Sequence, residues 1–310
     1  MATHVRELDM FSAMATYGRL LLKELNEIVA LGDEVLEVSR IRYDPEKVER
    51  VSRETGMAIM ALVPDSTWEP LDDEGRRRQR AVLDRWSRWT EKARLMFTAD
   101  AEKTKKELKA AVAKVTKWLD RSGVDFSVPQ SIEQAGAVLR THVKPLLDLL
   151  APFQNDGPLV VVPDTNVILR NQDLPSWADT LQAQAFTVLL VPGVLAELDG
   201  QKLNHRVAEV RENALKFSNR IKGWRSQGSL SSGVRVQGDI FVRVAAREPN
   251  FKDTLSWLDR TVVDDRIIAS VLEWQRANPT TAVQLLSGDS IMLAKSDEAG
   301  VPTGDVPDRG

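Results

Sequence analysis

The 310-residue sequence predicts two folds in one chain: an all-α helical bundle over residues 1–152, then a doubly wound α/β domain with a parallel sheet over residues 157–306. Three observations predict it. Up to Leu150, apolar residues recur at helical spacing and proline is scarce. A turn-rich linker from Pro152 to Pro158 then breaks that pattern. Beyond the linker, short apolar runs rich in β-branched residues alternate with helical stretches.

The first half starts with a proline-free stretch, Val5 to Ser39, whose apolar set (Leu8, Phe11, Leu22, Leu25, Val29, Val35, Leu36) has helical spacing. Asp44-Pro45 is a helix start, with proline at the first helical position, and the helix carries Val48, Val51, Ile59 and Leu62. Pro64 and Pro70 mark a loop over residues 64–71. From Asp72 to Arg121 the only internal break signal is Thr98–Asp100, and Gly123 is the expected stop. Ser131-x-x-Gln134 resembles a capping box ahead of a last helix through Leu150, with a kink expected at Pro145.

In the second half, Leu159–Val162, Thr187–Val191 and Val283–Leu286 are the expected buried strands. Helical stretches lie between them near Ala178–Gln184, Val207–Trp224 and Arg266–Arg276. The segment Gly228–Val244 interrupts the alternation and suits a hairpin turning at Gln237-Gly238-Asp239.

Composition narrows the function classes. The chain is 43% hydrophobic and 28% charged, ordinary values for a globular protein. A net charge of −3 excludes a wholesale polycation but not a local nucleic-acid footprint. Each side of residue 155 tells a different story: 25 basic and 25 acidic residues before it, 17 and 20 after, so the second half carries the acidic excess. With no cysteine, disulfides, thiolate catalysis and zinc–cysteine sites are out. Three scattered histidines, His4, His142 and His205, cannot build a histidine-rich metal site. No signal peptide or membrane span is visible, so a cytoplasmic location without a membrane partner is expected.

The informative residues are acids. Asp164 follows the first predicted strand, Glu197 lies shortly after the second, and Asp289 follows the third. In an open parallel sheet, ligands bind at the carboxyl ends of strands, where these positions converge. A fourth acid, in the pair Asp264-Asp265, opens a helix that can point at the same crevice. Crowded carboxylates repel one another unless a cation neutralises them, and an all-oxygen site suits Mg²⁺ or Mn²⁺. Such ions, bridged to a phosphate, can activate water against a phosphodiester with no protein nucleophile. Taken singly, Asp164 and Asp264 are equally well explained as helix N-caps. Four acids in the right topological places are harder to obtain from capping alone.

These residues resemble the motifs of PIN domains. Val161-Val-Pro-Asp164-Thr-Asn-Val-Ile-Leu169 is similar to their opening strand and first acid, and Val191-Pro-Gly-Val-Leu-Ala-Glu197-Leu-Asp-Gly-Gln-Lys202 to the second motif. Val263-Asp264-Asp265-Arg-Ile-Ile-Ala resembles the third, and Leu286-Ser-Gly-Asp289-Ser-Ile-Met-Leu-Ala-Lys295 the fourth, with Ala299-Gly-Val-Pro302 running into the last strand. The resemblance covers about residues 158–304 and implies a PIN-like, flavodoxin-like sandwich. It further implies an endoribonuclease acting on single-stranded RNA with Mg²⁺ or Mn²⁺. By motif position, Asp164 and Asp264 would be direct metal ligands, with Glu197 and Asp289 completing the acidic cluster. Asp265 competes with Asp264 for the inward place; Asp264 is favoured because it stands three residues before Ile267. Asn166 and Ser287 fall where the family orients acids or water. The insertion between the second and third motifs is longer than in minimal PIN toxins and resembles the larger PIN domains of RNA-processing proteins.

Two basic stretches offer substrate surfaces. One begins with Lys202, His205 and Arg206, near the expected crevice, and continues along the next helix. The other is Arg76-Arg-Arg-Gln-Arg80 with Arg85 and Arg88, interleaved with Trp86 and Trp89. Aromatics beside arginine can stack bases, but the helical spacing with Leu83, Thr90, Ala93 and Phe97 puts the tryptophans in a core. The N-terminal helices suit a guiding surface for RNA or a protein-docking or homodimer module equally well. Two other readings keep the fold: a non-catalytic RNA-binding or scaffold protein, and a structure-specific DNA nuclease.

Overall fold

A computed structural model of the chain describes residues 16–43, 66–98, 100–121, 128–153 and 157–307. The expected helix at Asp44-Pro45 with its apolar set, the first residues of the opening helix (Leu8 and Phe11 included), His4 and the stop at Gly123 lie outside the described residues.

The chain divides into two compact units, the first spanning Leu21–Pro152. Its described helices are α1 (Tyr17–Glu37, from Leu21 onward), α2 (Asp73–Met96), α3 (Glu102–Asp120) and α4 (Ile132–Leu150). Each has a sequence-level cause. Asp72 caps α2 by accepting the Gly75 N–H at 2.7 Å. The expected break at 98–100 separates α2 from α3, and α3 ends where Arg121 turns left-handed at φ 52°. Ser131 caps α4 through the Gln134 N–H at 3.2 Å, while the Gln134 side-chain Oε1 accepts the Gln130 N–H and not that of Ser131, so only half of a capping box forms.

Trp86 and Trp89 are 3% and 1% exposed and stack on each other, centroids 5.1 Å apart. Their indole N–H groups donate to Thr116 Oγ1 and Leu21 O, both at 2.8 Å, so neither ring is available to a nucleobase. The stretch 64–71, expected as a loop, contains strand β2 (Ser66–Trp68), which pairs antiparallel with β1 (Ile41–Tyr43). Backbone pairing with a segment more than 20 residues away gives these three residues a partner that no local pattern announces.

The second unit runs from Phe153 to the end and also takes in residues 16–20. Residues 16–20 are tied to it through Thr16, which bridges Ala282 and whose hydroxyl donates to the Phe153 carbonyl. A six-stranded sheet forms its centre, with strands β3 (Leu159–Pro163), β4 (Ala185–Leu190), β5 (Val234–Gln237), β6 (Asp239–Val244), β7 (Ala282–Leu286) and β8 (Thr303–Gly304). Their order is β5-β6-β4-β3-β7-β8, and all neighbours are parallel except the β5–β6 hairpin. Every residue of β3 and β7 is buried, as continuous apolar runs require. The hairpin turns at Gly238, whose φ of 53° suits glycine. This is the α/β fold with an N-terminal helical region that the sequence predicts.

The helices of this unit are α5 (Thr165–Arg170), α6 (Trp177–Leu181), α7 (Pro192–Asn204), α8 (Ala208–Gln227), α9 (Val263–Ala277) and α10 (Ser290–Ala299). Helices α7 and α9 meet at Gly193, where an added Cβ would lie 2.9 Å from Ile267 Cγ1. The chain leaves β3 towards β4 and β6, then returns to the other side of β3 as β7. The strand order therefore reverses beside β3, which is where open α/β sheets hold their ligands.

Candidate active site

Asp164 stands at that reversal. Its N–H donates to the Leu286 carbonyl at 2.9 Å, extending the β3–β7 ladder by one rung and fixing its backbone at the carboxyl edge. Its Oδ1 caps α5 by accepting the Val167 N–H at 2.7 Å, and its Oδ2 accepts the Ser287 hydroxyl. Ser287, buried just past β7, also accepts the Asp289 N–H at 3.0 Å. One hydroxyl thus ties the acid after β3 to the backbone of the acid after β7. Asp289 is exposed and caps α10 through the Ile291 and Met292 N–H groups, at 2.7 and 3.1 Å.

Glu197 projects from the second turn of α7, half-buried, and its Oε2 accepts the Thr165 hydroxyl at 2.6 Å. Thr165 is the residue after Asp164, so the first and second acids are held from adjacent positions. Asp264 lies half-buried in the first turn of α9. Its neighbour Asp265 is 4% exposed with both oxygens engaged: Oδ1 with Lys295 Nζ at 2.6 Å, Oδ2 with the Asp259 N–H at 2.9 Å.

The electrostatics connect these acids. Burial raises the Asp164 carboxyl above the ordinary range, against hydrogen bonds from Ser287 and the Val167 and Asn166 amides, and the Asp289 charge pushes it further. Burial also raises Asp264; Lys295 opposes this, while the charges of Asp289 and Asp265 add to it. Asp289 is therefore the shared neighbour of Asp164 and Asp264. The clustering has a limit: among the described residues, no three histidine, aspartate or glutamate side chains are gathered into a ready-made metal site.

A family model described as a PIN domain matches residues 161–306. Residues 161–306 are a PIN domain. No curated protein matches the chain. PIN domains are generally nucleases and typically depend on divalent metal. In this PIN domain the four motif acids come from the turns after β3 and β7 and from α7 and α9, around one end of the sheet.

The other expected site residues fall into three groups. Ser287 touches an acid directly; Asn166 is exposed and supports Asp164 through its backbone. Lys202 pairs with Asp199 at 2.5 Å, while Arg206 is exposed. His205 ends α7 and accepts the Val207 N–H on Nδ1 at 3.2 Å. Several of the other basic residues are structural. Arg211 donates to the His205 carbonyl at 2.5 Å and Arg220 to that of Gln172. Arg76, Arg77, Arg78 and Arg85 of the helical unit pair with Asp73, Glu74 and Glu27. Sequence reasoning assigned no role to Thr165 or Lys295. Both stand inside recognised motifs, so a hydroxyl beside the first acid and a lone lysine after the fourth were the available signals.

Proposed function

We propose that the chain is a metal-dependent endoribonuclease that hydrolyses phosphodiester bonds of single-stranded RNA. The observation that carries this reading is the link Asp164–Ser287–Asp289 across the strand-order reversal, with Asp264 under the influence of the same Asp289 charge. The donor set is all oxygen, which fits Mg²⁺ or Mn²⁺. Mg²⁺ commonly keeps several waters and takes one or two carboxylates plus substrate phosphate oxygens, so it needs no closed cage of three protein ligands. One or two of Asp164, Asp264 and Asp289 would hold the ion directly, and when bound it would supply charge neutralisation and an activated water. Glu197, whose Oε2 accepts the Thr165 hydroxyl, would accept a proton from water. Asp265 serves the fold by pairing with Lys295. Lys202, His205 and Arg206 flank the site as contacts for the RNA backbone.

One observation favours a second reading, a non-catalytic RNA-binding or scaffold protein with this fold. The acids are not gathered into a ready ligand set, and Asp164 and Asp289 both serve as helix caps. Cleavage of labelled single-stranded RNA and DNA with Mn²⁺, comparing wild type with Asp164→Asn, separates the alternatives. RNA cleavage lost in the variant supports the endoribonuclease; cleavage of DNA alone points to a DNA nuclease. Cleavage of neither polymer by wild type supports the scaffold. The cysteine-free composition suits a reducing cytoplasm, and no helix among the described residues is long and apolar enough to cross a membrane. The N-terminal helices would serve a protein partner or a homodimer contact.

A further inference from the structure

Beside the acids lies a cavity of about 730 Å³, within the range of small-ligand sites. It is lined by Asn166 and Leu169 of α5, Gln201 of α7, His205, and Val210 and Asn213 of α8. Asn166 stands two residues beyond Asp164 and Gln201 one helical turn beyond Glu197, while none of the four acids lines the cavity itself.

The lining has a definite chemical character. Leu169 and Val210 supply apolar surface for a flat ring. Three amide side chains, Asn166, Gln201 and Asn213, each carry a donor and an acceptor. Gln201 Oε1 is shielded from solvent and accepts no hydrogen bond in the protein, so a turn of the amide that presents it to an incoming N–H breaks no bond at that oxygen. His205 Nδ1 accepts the Val207 N–H, which places the ring proton of the neutral imidazole on Nε2, a further donor. Formal charge nearly cancels, because Arg170 and Glu209 both line the cavity. A phosphate subsite would concentrate cations. Apolar faces with mixed donors and acceptors at the edges match a nucleobase.

We infer that this cavity between α5, α7 and α8 is a nucleobase subsite that seats an unpaired base next to the phosphodiester at the acids. The inference rests on the proposed nuclease reading for its substrate class, but its test does not depend on cleavage. Single-strand preference follows, since a base must leave a stack to enter.

The test uses full-length Asp164→Asn protein in EDTA with a fluorescein-labelled RNA hexamer containing one 4-thiouridine. Anisotropy should report binding, and photo-crosslinks mapped by mass spectrometry should fall within residues 166–170 and 201–213. Adding Gln201→Met removes the free acceptor at similar volume and should weaken binding about fivefold, the scale of one hydrogen bond. Adding Val210→Trp fills the cavity and should weaken it more. Crosslinks confined to other surfaces, no hexamer binding, or unchanged affinity in both folded variants overturns the subsite. If a variant fails to fold, the crosslink map from the Asp164→Asn protein still decides. Wild-type cleavage with crosslinks elsewhere removes the subsite alone. Crosslinks in the cavity without wild-type cleavage remove the nuclease reading alone.

Discussion

Replacing two neighbouring aspartates one at a time should separate an acid that holds the fold from an acid that serves chemistry. Asp265 is 4% exposed, with Lys295 Nζ at 2.6 Å and the Asp259 N–H at 2.9 Å. In Asp265→Asn the amide oxygen still accepts from Asp259, but the ammonium loses its counter-charge. Stranding a fully buried charge costs about 3–5 kcal/mol. The Lys295 side chain is 29% exposed and regains some hydration, so the loss should approach that of one charge-assisted hydrogen bond, about 2 kcal/mol. For a unit of this size that lowers Tm by about 4–8 °C. Asp264 is the opposite case. Its carboxyl is raised by burial and by two like charges, so Asp264→Asn should leave Tm unchanged or higher. RNA cleavage with Mn²⁺ should nevertheless fall at least about 100-fold, since even a ligand's supporting partner is worth 10–100-fold in affinity or activity. Scanning fluorimetry and cleavage of a labelled oligonucleotide read both quantities. An inactive Asp265→Asn with unchanged Tm, beside an active Asp264→Asn, would reverse the roles and refute the reasoning.

Three further outcomes are expected. Because the folded Asp164 carboxyl is raised, its proton is bound more tightly in the folded chain; that stability is present below the ordinary carboxylate range and lost as pH rises through the folded value. Asp164→Asn should therefore gain on wild type as pH rises from 4 to 7, read as a melting-temperature difference that widens with pH. Thr165→Val removes the hydroxyl that holds Glu197 and should lower the cleavage rate about tenfold with little change in RNA affinity, measured by single-turnover kinetics. Trp89→Ala deletes a fully buried ring and its bond to Leu21 O; a loss of about 4 kcal/mol or more should appear as an early melting transition of the helical unit in circular dichroism.

The sequence by itself determined whatever depends on neighbours along the chain. The apolar runs at 159–162 and 283–286 read as buried strands, the turn at Gly238 suited a hairpin, and Asp164, following a strand, was a candidate cap for the next helix and caps it; Asp264, the other candidate, lies inside its helix instead. The tryptophan spacing in α2 announced a core, which the burial of Trp86 and Trp89 bears out. Tertiary structure decided whatever depends on residues distant in sequence. Adjacent helical side chains point about 100° apart. Which of Asp264 and Asp265 turned inward to a lysine therefore rested on how α9 packs against its neighbours and where Lys295 of α10 arrives. The same holds for the pairing of β1 with β2, for Thr16 beside Ala282, and for Arg85 meeting Glu27 across 58 residues. Local pattern specifies which way a chain turns and which face is apolar. The partner of a buried charge is set only when the core closes, because the energy of that pairing does not exist until water has been excluded around it.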